Sequence, residues 1–228
     1  MQNKIDSFLN LAKIFKENGF KLFLVGGSVR DYFLYGKIDD LDVTSDATPE
    51  EVKLFLNAEI VDRFASFGAL TIKFDNQKFD FTTLRKEKKY VDNRHPSKIH
   101  FVKKPKIDFK RRDFTLNALY LDNQFELIDF CNGKKDLDNK ILRMIGNPYK
   151  RIKEDPLRIL RAIRFSLEHD LIIEKRLTKA INKHISLIGK LNKDKIRQEI
   201  NKIKKVDDNK KRDLFTEFNI VYLLDMVK

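Results

Sequence analysis

The stretch at residues 24–46 constrains the fold of this 228-residue chain more than any other, and it reads LVGGSVRDYFLYGKIDDLDVTSD. The apolar residues 23–25 predict a short buried strand that ends at two glycines, residues 26–27. A helix is predicted over residues 28–35, and Gly36 would end it. Two glycines between a strand and a helix let a phosphate approach the backbone, where the first N–H groups of the helix can bind it. The stretch therefore predicts a phosphate-binding turn.

Two carboxylates follow this helix. Leu41 and Val43 alternate with Asp40 and Asp42, and this period of two predicts one strand that directs both carboxylates to the same face. Two such side chains can share a divalent cation. A glycine turn alone is usually only a turn, and a lone Asp-x-Asp is usually a solvated strand end. Here both occur within one short segment, with Arg30 directly after the glycines, and together they indicate nucleotide chemistry.

The segments GGSVRD and DDLDVTSDATPEEV closely resemble the signature of the class II nucleotidyltransferases, the bacterial-type CCA-adding enzymes and poly(A) polymerases. This family belongs to the polymerase-β-like nucleotidyltransferase superfamily. The resemblance implies an α+β fold, with a catalytic head of a small mixed sheet and helices at residues 1–139. An all-α neck that binds the nucleotide base and RNA would follow at residues 140–228. The body and tail helices, which hold the tRNA elbow in longer members, would be absent.

The charge of the chain agrees with a polyanionic partner. It has 47 Lys and Arg against 34 Asp and Glu, which gives a formal net charge of +13, and 42% hydrophobic residues indicate a folded protein. Nucleic acid is favoured over a membrane because no apolar run approaches a spanning length. Cys131 is the only cysteine, so a disulfide framework is excluded and a cytoplasmic location is expected.

Apolar spacing predicts further elements of the head. A helix is expected over residues 3–18, a second one is expected to begin at the capping box of residues 48–51, and a strand is expected over residues 125–130. Strands are also predicted over residues 69–74 and 78–84.

Asp80 lies in the second of these two strands. Phe79 and Phe81 would face one side of it, and Asp80 and Thr82 the other. The family usually has Glu-Val-Thr-Thr-Phe-Arg where this chain has Asp-Phe-Thr-Thr-Leu-Arg, so the resemblance implies that Asp80 is the third catalytic acid, one methylene shorter.

A basic cluster occupies residues 85–113. Residues 87–100 have weak periodicity and are predicted to form a loop, and residues 90–96 resemble the Tyr-x-Asp-x-Arg-x-Pro loop of the family. The segment RRDFTLNA at residues 111–118 is predicted to begin a helix. It closely resembles the family motif assigned to ribose selection, which implies that Arg111 and Asp113 contact the nucleotide.

The predicted neck contains a second close match, EDPLRILRAIRF at residues 154–165. Asp155 and Arg158, three residues apart on a predicted helix, can present an acceptor beside a donor fork. The family motif Glu-Asp-x-x-Arg reads the base of incoming CTP and ATP without a nucleic-acid template. Arg161 and Arg164 would reach phosphates. Without the surrounding motifs, an Asp–Arg salt bridge on a solvent-exposed helix face would be the default interpretation.

Taken together, the resemblance implies a Mg²⁺-dependent enzyme with two metal ions that adds CCA, or part of it, to the 3′ end of tRNA from CTP and ATP. Asp40 and Asp42 would hold the metals, and Asp80 would help to take the proton of the primer 3′-hydroxyl. The residues that bind the nucleotide would be Gly27, Arg30, Arg111, Asp113, Asp155, Arg158, Arg161 and Arg164.

Several alternatives stay open. The motifs do not separate CCA addition from poly(A), A-only or CC-only addition. A non-catalytic RNA-binding module and a small-molecule nucleotidyltransferase belong to other classes, and the three intact acids and the basic neck speak against them. A monomer or a weak homo-oligomer is expected.

Overall fold

The computed structural model of the chain describes residues 2–90, 96–203 and 206–227. The chain divides into two compact units. The first consists of Met1–Lys88 and Lys98–Lys134, and the second of Lys89–Ser97 and Lys135–Lys228. The first unit contains the predicted glycine turn and the predicted acids, and the second contains the predicted base-reading segment.

A seven-stranded mixed sheet forms the centre of the first unit, in the order β3-β4-β5-β2-β1-β8-β9. Its strands are β1 (Leu22–Val25), β2 (Leu41–Ser45), β3 (Glu59–Phe64), β4 (Ala69–Phe74), β5 (Gln77–Thr83), β8 (Leu119–Leu121) and β9 (Leu127–Asp129). Strands β2 and β5 are parallel, whereas β1 pairs with β2 and β8, and β4 with β3 and β5, in the antiparallel direction. Two further strands, β6 (Arg85–Tyr90) and β7 (Pro96–Phe101), form a separate two-stranded sheet.

Helices cover one face of the central sheet. They include α1 (Gln2–Glu17) and α3 (Pro49–Phe55), and the Phe15 ring of α1 lies 5.1 Å from Phe55 and 5.9 Å from Phe81 of β5. Phe79 and Phe81 are buried on this face, whereas Asp80 between them is exposed on the other. The alternation in β5 therefore sets which face becomes core and which stays open for chemistry.

The short-range predictions for this unit are largely confirmed. Helix α1 matches the helix expected over residues 3–18, α2 (Gly27–Tyr35) ends at Gly36 in the left-handed conformation, and the capping box at Thr48 is present at the start of α3. The small mixed sheet with helices confirms the predicted α+β class. Strands β3 and β8 were not predicted, because exposed charges interrupt the apolar pattern of β3 and β8 has only three residues.

The loop predicted over residues 87–100 is wrong where the structure describes it, because β6 and β7 pair with each other there. Alternation of apolar residues is the main sequence signal for a strand, and the charged sequence of β6 does not show it. Residues 91–95 lie outside the described residues, and they contain most of the predicted family loop at 90–96.

Helices dominate the second unit. They are α6 (Pro148–Glu154), α7 (Leu157–His169), α8 (Lys175–His184), α9 (Lys193–Asn201) and α10 (Asp208–Glu217), preceded along the chain by α5 (Gly133–Asp138). The short helix α4 (Pro105–Asp108) belongs to the first unit. Helix α6 packs on α8 and α7 on α9, around buried Ile159, Ile163, Ile181 and Ile200. A two-residue parallel pair, Ile141–Leu142 with Ile172–Ile173, accompanies the helices.

None of the helices that the structure describes is long and apolar enough to cross a membrane.

Candidate active site

Two of the predicted acids lie side by side on neighbouring strands. Asp42 of β2 aligns with Asp80 of β5, so both side chains leave the sheet on its open face. Thr71 of β4 aligns with Asp80 in turn, and its hydroxyl oxygen lies 3.4 Å from the Asp80 carboxylate. Asp40 is exposed and lies in the bend directly before β2, not within the strand as predicted. The register between β2 and β5 therefore places two carboxylates side by side on the open face of the sheet.

The surroundings of Asp42 oppose its ionisation. Burial raises the pKa of the Asp42 carboxyl above its usual range, and the negative charges of Asp80 and Asp40 raise this pKa further. The backbone N–H of Gly27, which donates to Asp42 Oδ2 at 3.1 Å, and the charge of Arg30 act in the opposite direction. Because three negative charges act on one another here, a bound cation would offset their repulsion.

The donor chemistry of this position fits magnesium. Asp40 and Asp42 offer hard carboxylate oxygens, and Mg²⁺ is commonly held by one or two carboxylates together with water and substrate phosphates. Within residues 2–90, 96–203 and 206–227, no group of three or more His, Cys, Asp or Glu side chains is arranged to hold a metal. If Asp40 and Asp42 hold such an ion, water and substrate phosphates complete its ligand set.

The glycine turn is shaped by Asp42. Gly26 has a φ of +65°, a conformation that favours glycine, and it precedes the first residue of α2. A Cβ atom added to Gly27 would lie 2.9 Å from Asp42 Oδ2. Gly27 was predicted from its suitability for a phosphate, and its N–H donates to the Asp42 carboxylate. The role of Gly27 towards phosphate stays a prediction, and the contact with Asp42 is an addition from the structure.

Ser28 joins the glycine turn to the acidic strand, and sequence reasoning missed it. Its Oγ–H donates to the backbone oxygen of Asp40 at 2.7 Å, and the backbone N–H of Asp42 donates to Ser28 Oγ at 2.7 Å. One buried hydroxyl thus holds the bend at Asp40 and the start of β2 at Asp42 against the start of α2. A serine at a helix start is a weak signal, since it also serves as an ordinary cap.

Arg30 connects α2 to the segment at residues 111–118, which resembles the family motif for ribose selection. Its guanidinium is buried and binds both carboxylate oxygens of Asp31 at 2.8 and 3.0 Å. Its Nη1 donates to Asn117 Oδ1 at 3.0 Å, and Asn117 Nδ2 donates to Asp113 Oδ1 at 3.1 Å. Arg30 was predicted to bind triphosphate, and these contacts make it a residue that positions Asn117 and Asp113.

Arg111 and Arg112 share a buried carboxylate that the sequence analysis did not single out. Asp108 is fully buried and accepts hydrogen bonds from Arg111 Nε at 2.7 Å, Arg112 Nε at 3.0 Å and Tyr120 Oη at 2.8 Å. Burial alone would raise the pKa of Asp108, but the charges of Arg112 and Arg111 outweigh it and hold that pKa well below its usual range. The only sequence signal was an acid three and four residues before two arginines.

The prediction that Arg111, Arg112 and Asp113 begin a helix is wrong. Arg111 is the last residue of a short 3-10 turn, Phe109–Arg111, that follows α4, and Arg112 is already extended. Arg111 and Arg112 both bind Asp108, which precedes them in the chain. The segment therefore ends a helical turn, whereas the start of a helix was expected.

These elements surround one cleft in the first unit, with a volume of about 680 Å³. Its floor and one wall contain Gly26, Asp42, Asp80, Arg111 and Arg112. The opposite rim contains residues of β3 and β4 that sequence reasoning missed, and these are Val61, Arg63, Phe64, Ala69 and Thr71. A volume of this size suits a small ligand such as a nucleotide.

The predicted base-reading residues lie in the second unit. Asp155 lies between α6 and α7 in an extended conformation, not on one continuous helix as predicted, because the following Pro156 disfavours a helical residue before it. Its Oδ1 accepts from the N–H of Leu157 at 3.1 Å. Arg158 is buried, and its Nη1 donates to the backbone oxygen of Arg151 at 2.6 Å.

Arg161 and Arg164 follow on α7, and both guanidinium groups lie over the ring of Phe165, at 5.2 and 4.2 Å. Arg164 also binds Glu199 of α9 at 2.6 Å and Glu168 at 2.7 Å. Burial opposes ionisation of Glu199, but the charges of Arg164 and Arg161 outweigh it and lower its pKa. Arg164 therefore joins two helices in addition to any role towards phosphate.

Comparisons with known proteins agree with this geometry. Residues 22–143 match the family model described as the poly A polymerase head domain. The chain is 36% identical over 193 residues to a CCA-adding enzyme of Staphylococcus epidermidis, covering 85% of this chain and 48% of that protein. It is 41% identical over 193 residues to that of Streptococcus gordonii, with the same two coverages of 85% and 48%. The chain thus spans about half the length of the curated relatives it matches.

Solved structures show the same similarity. The CCA-adding enzyme of Bacillus stearothermophilus in complex with CTP matches with a TM-score of 0.85 at 27% identity, over 95% of this chain and 52% of that one. The Thermotoga maritima CCA-adding enzyme complexed with tRNA_CCA matches with a TM-score of 0.76 at 26% identity, over 96% of this chain and 52% of that one.

Proposed function

Because the chain belongs to the class II nucleotidyltransferase family of bacterial poly(A) polymerases and CCA-adding enzymes, we propose that it is a template-independent RNA nucleotidyltransferase. It adds CCA, or part of it, to the 3′ end of tRNA from CTP and ATP and releases pyrophosphate. The alignment of Asp42 with Asp80 in a cleft that also contains Arg111 supports this function most directly. A tRNA substrate implies a cytoplasmic location.

We further propose that Asp40 and Asp42 hold two Mg²⁺ ions. When bound, these ions would lower the pKa of the attacking hydroxyl and offset the charge of the triphosphate. Asp80 lies next to Asp42 and would accept the proton of the acceptor 3′-hydroxyl. That oxygen would then bond to the α-phosphorus of the nucleotide, and the bond to pyrophosphate would break.

The remaining residues of the cleft would bind and orient the nucleotide. Arg111 lines the cleft and is the cation best placed to bind triphosphate oxygens, since Asp108 fixes its Nε. Asp113 would accept from a ribose hydroxyl, and Arg30 would hold it in place through Asn117. Gly27 would keep the backbone of the turn close to Asp42, so that the turn and the Asp42 carboxylate both face the phosphates.

Incubation of the protein with tRNA transcripts that end in the discriminator base, in C, or in CC tests this function. CTP and ATP are supplied separately and together. A CCA-adding enzyme extends all three transcripts. CC-only, A-only and poly(A)-adding enzymes differ in which 3′ ends they extend and in how many nucleotides they add. The absence of any incorporation, with RNA still bound, would favour a non-catalytic RNA-binding module.

We expect Arg158→Ala to alter nucleotide choice. Loss of one partner from a buried base-edge contact costs about 1–3 kcal/mol for the correct nucleotide and much less for the wrong ones. The ratio of CTP and ATP incorporation to UTP and GTP incorporation should therefore fall. The measurement is kcat/KM for each of the four nucleotides with one acceptor RNA, alongside thermal melting.

Arg164→Ala is the matched control, since it removes a guanidinium from the same helix and breaks the contact with Glu199. It should slow all four nucleotides by a similar factor. If Arg158→Ala behaves in the same way as this control, Arg158 supports the packing of α6 and α7 and does not read the base.

A further inference from the structure

Strand β3, an edge strand of the central sheet, contains an irregularity that faces the cleft. Val61 aligns with Thr71 of β4, and Phe64 aligns with Ala69, so Asp62 and Arg63 together oppose a single residue of β4. This is the arrangement of a β-bulge, which inserts one residue and redirects the side chains that follow. Phe64 therefore leaves the sheet on the same face as Val61, although in a regular strand residues three apart face opposite sides.

That face is the catalytic one. Val61, Thr71, Asp80 and Asp42 align across four neighbouring strands, and Phe64 aligns through Ala69 with Thr82 in the next row. Asp62 faces the other way, since it binds Lys53 of α3 at 3.0 Å. Val61 thus lies in the same row as the two aligned carboxylates, and the bulge places Phe64 on the same face in the next row.

These side chains are unusually open to solvent for apolar residues on a sheet. The exposed fraction is 45% for Val61 and 60% for Phe64, and Arg63 beside them is also exposed. All three residues line the cleft. An exposed aromatic ring next to a cation is the combination by which proteins bind single-stranded nucleic acid, because a base stacks on the ring and the cation contacts a phosphate.

The strand order indicates which substrate meets this rim. Asp42 and Asp80 lie on β2 and β5, with the glycine turn after β1 on one side and β3 on the other. In phosphoryl transfer the attacking and leaving oxygens are roughly in line. If the triphosphate lies at the glycine turn, the attacking hydroxyl must approach the carboxylates from the side of β4 and β3.

We propose that Val61, Arg63 and Phe64, here called the β3 rim, bind the 3′-terminal nucleotide of the acceptor RNA. The terminal base stacks on Phe64 and Val61, and Arg63 contacts the adjacent phosphate, which directs the 3′-hydroxyl towards Asp80. This role rests on the proposed function, because it presumes that a single-stranded RNA end is the acceptor. The rim is a positioning surface and contributes no group to the bond-making step.

The test uses the full chain with Phe64→Ala, Phe64→Tyr and the control Phe67→Ala. Phe67 is also an exposed aromatic residue, 42% accessible, but it lies in the turn after β3 and outside the residues that line the cleft. KM for an acceptor RNA and KM for CTP are measured separately, together with melting temperature. Phe64→Ala should raise KM for RNA by about tenfold or more, as removal of a base-stacking ring does, and leave KM for CTP unchanged. Phe64→Tyr should retain the wild-type value, as should Phe67→Ala.

A second measurement separates this role from the catalytic function. Binding of a short single-stranded RNA ending in CC is followed by fluorescence anisotropy without any nucleotide triphosphate, for the wild type, Phe64→Ala and Arg63→Ala. Weaker binding by both variants supports the rim even if the wild type incorporates no nucleotide, in which case only the catalytic proposal fails. Active wild type with unchanged RNA affinity and KM in Phe64→Ala would overturn the rim. A change in sedimentation on Phe64→Ala, with RNA binding unaltered, would also overturn it and identify β3 as a protein interface.

Discussion

Asp42→Asn is expected to reduce nucleotide incorporation by about a hundredfold or more, because metal-assisted stabilisation of the transition state is worth several kcal/mol. The asparagine keeps an oxygen that can accept the N–H of Gly27, which donates to Asp42 at 3.1 Å, so the turn should persist. The measurement is single-turnover incorporation of CTP into an acceptor RNA.

The same variant should not lose stability at neutral pH. Burial, with the charges of Asp80 and Asp40, raises the pKa of Asp42 in the folded protein above its unfolded value. The folded state therefore binds the proton more tightly, and stability falls as the pH rises through the folded pKa. Asparagine removes this cost. The melting temperature of Asp42→Asn should equal or exceed that of the wild type at pH 7, and the difference should shrink as the pH is lowered towards that pKa.

Asp39→Asn is the matched control, since Asp39 is an exposed neighbouring carboxylate paired with Lys37 at 2.7 Å. It should retain wild-type activity, whereas Asp40→Asn should lose activity in parallel with Asp42→Asn. If Asp40→Asn and Asp42→Asn both kept more than about a tenth of the wild-type rate, the loss would be too small for a metal ligand and the assignment would be wrong.

Asp108→Asn should destabilise the fold more than any other single change to a carboxylate discussed above. Removal of one partner from a buried ion pair costs about 3–5 kcal/mol, because it leaves the other charge uncompensated. Here two guanidinium groups and the Tyr120 hydroxyl lose the same buried carboxylate. Typical domains have only about 5–15 kcal/mol of stability, so the variant should unfold at much lower urea concentration, as followed by circular dichroism.

The pH dependence of stability offers an independent check on Asp108. Its pKa is lowered in the folded protein, chiefly by Arg112 and Arg111 against the effect of burial. The stabilisation of the fold by ionised Asp108 is therefore present above the unfolded pKa of about 3.9. It is lost as the pH falls through the pKa of Asp108 in the folded protein. The wild type should lose stability in this acidic window, and Asp108→Asn should lose less.

Asp170→Asn provides the contrast with a surface pair. Asp170 is 67% exposed and contacts Lys210 and Lys140, so its removal should cost little stability, because solvent and salt screen exposed ion pairs. Equal effects of the Asp108 and Asp170 variants would mean that the buried network contributes no more than an exposed ion pair.

The sequence by itself determined the features that depend on near neighbours. The glycine turn before α2, the left-handed end at Gly36 and the capping box at Thr48 are local, because each needs only a few adjacent residues to satisfy backbone groups. The alternation in β5 likewise revealed which side chains face the core. The motifs at residues 26–31 and 40–46 were sufficient to identify the family.

The tertiary structure alone decided which of these residues meet. Asp42 and Asp80 become partners only through the parallel pairing of β2 with β5, and Arg30 contacts Asn117 across 87 positions of the chain. The bulge that turns Phe64 towards the carboxylates exists only in the register between β3 and β4. A local pattern specifies the face on which a side chain lies, but the residue opposite it is set by strand order and register, which depend on the packing of the whole sheet.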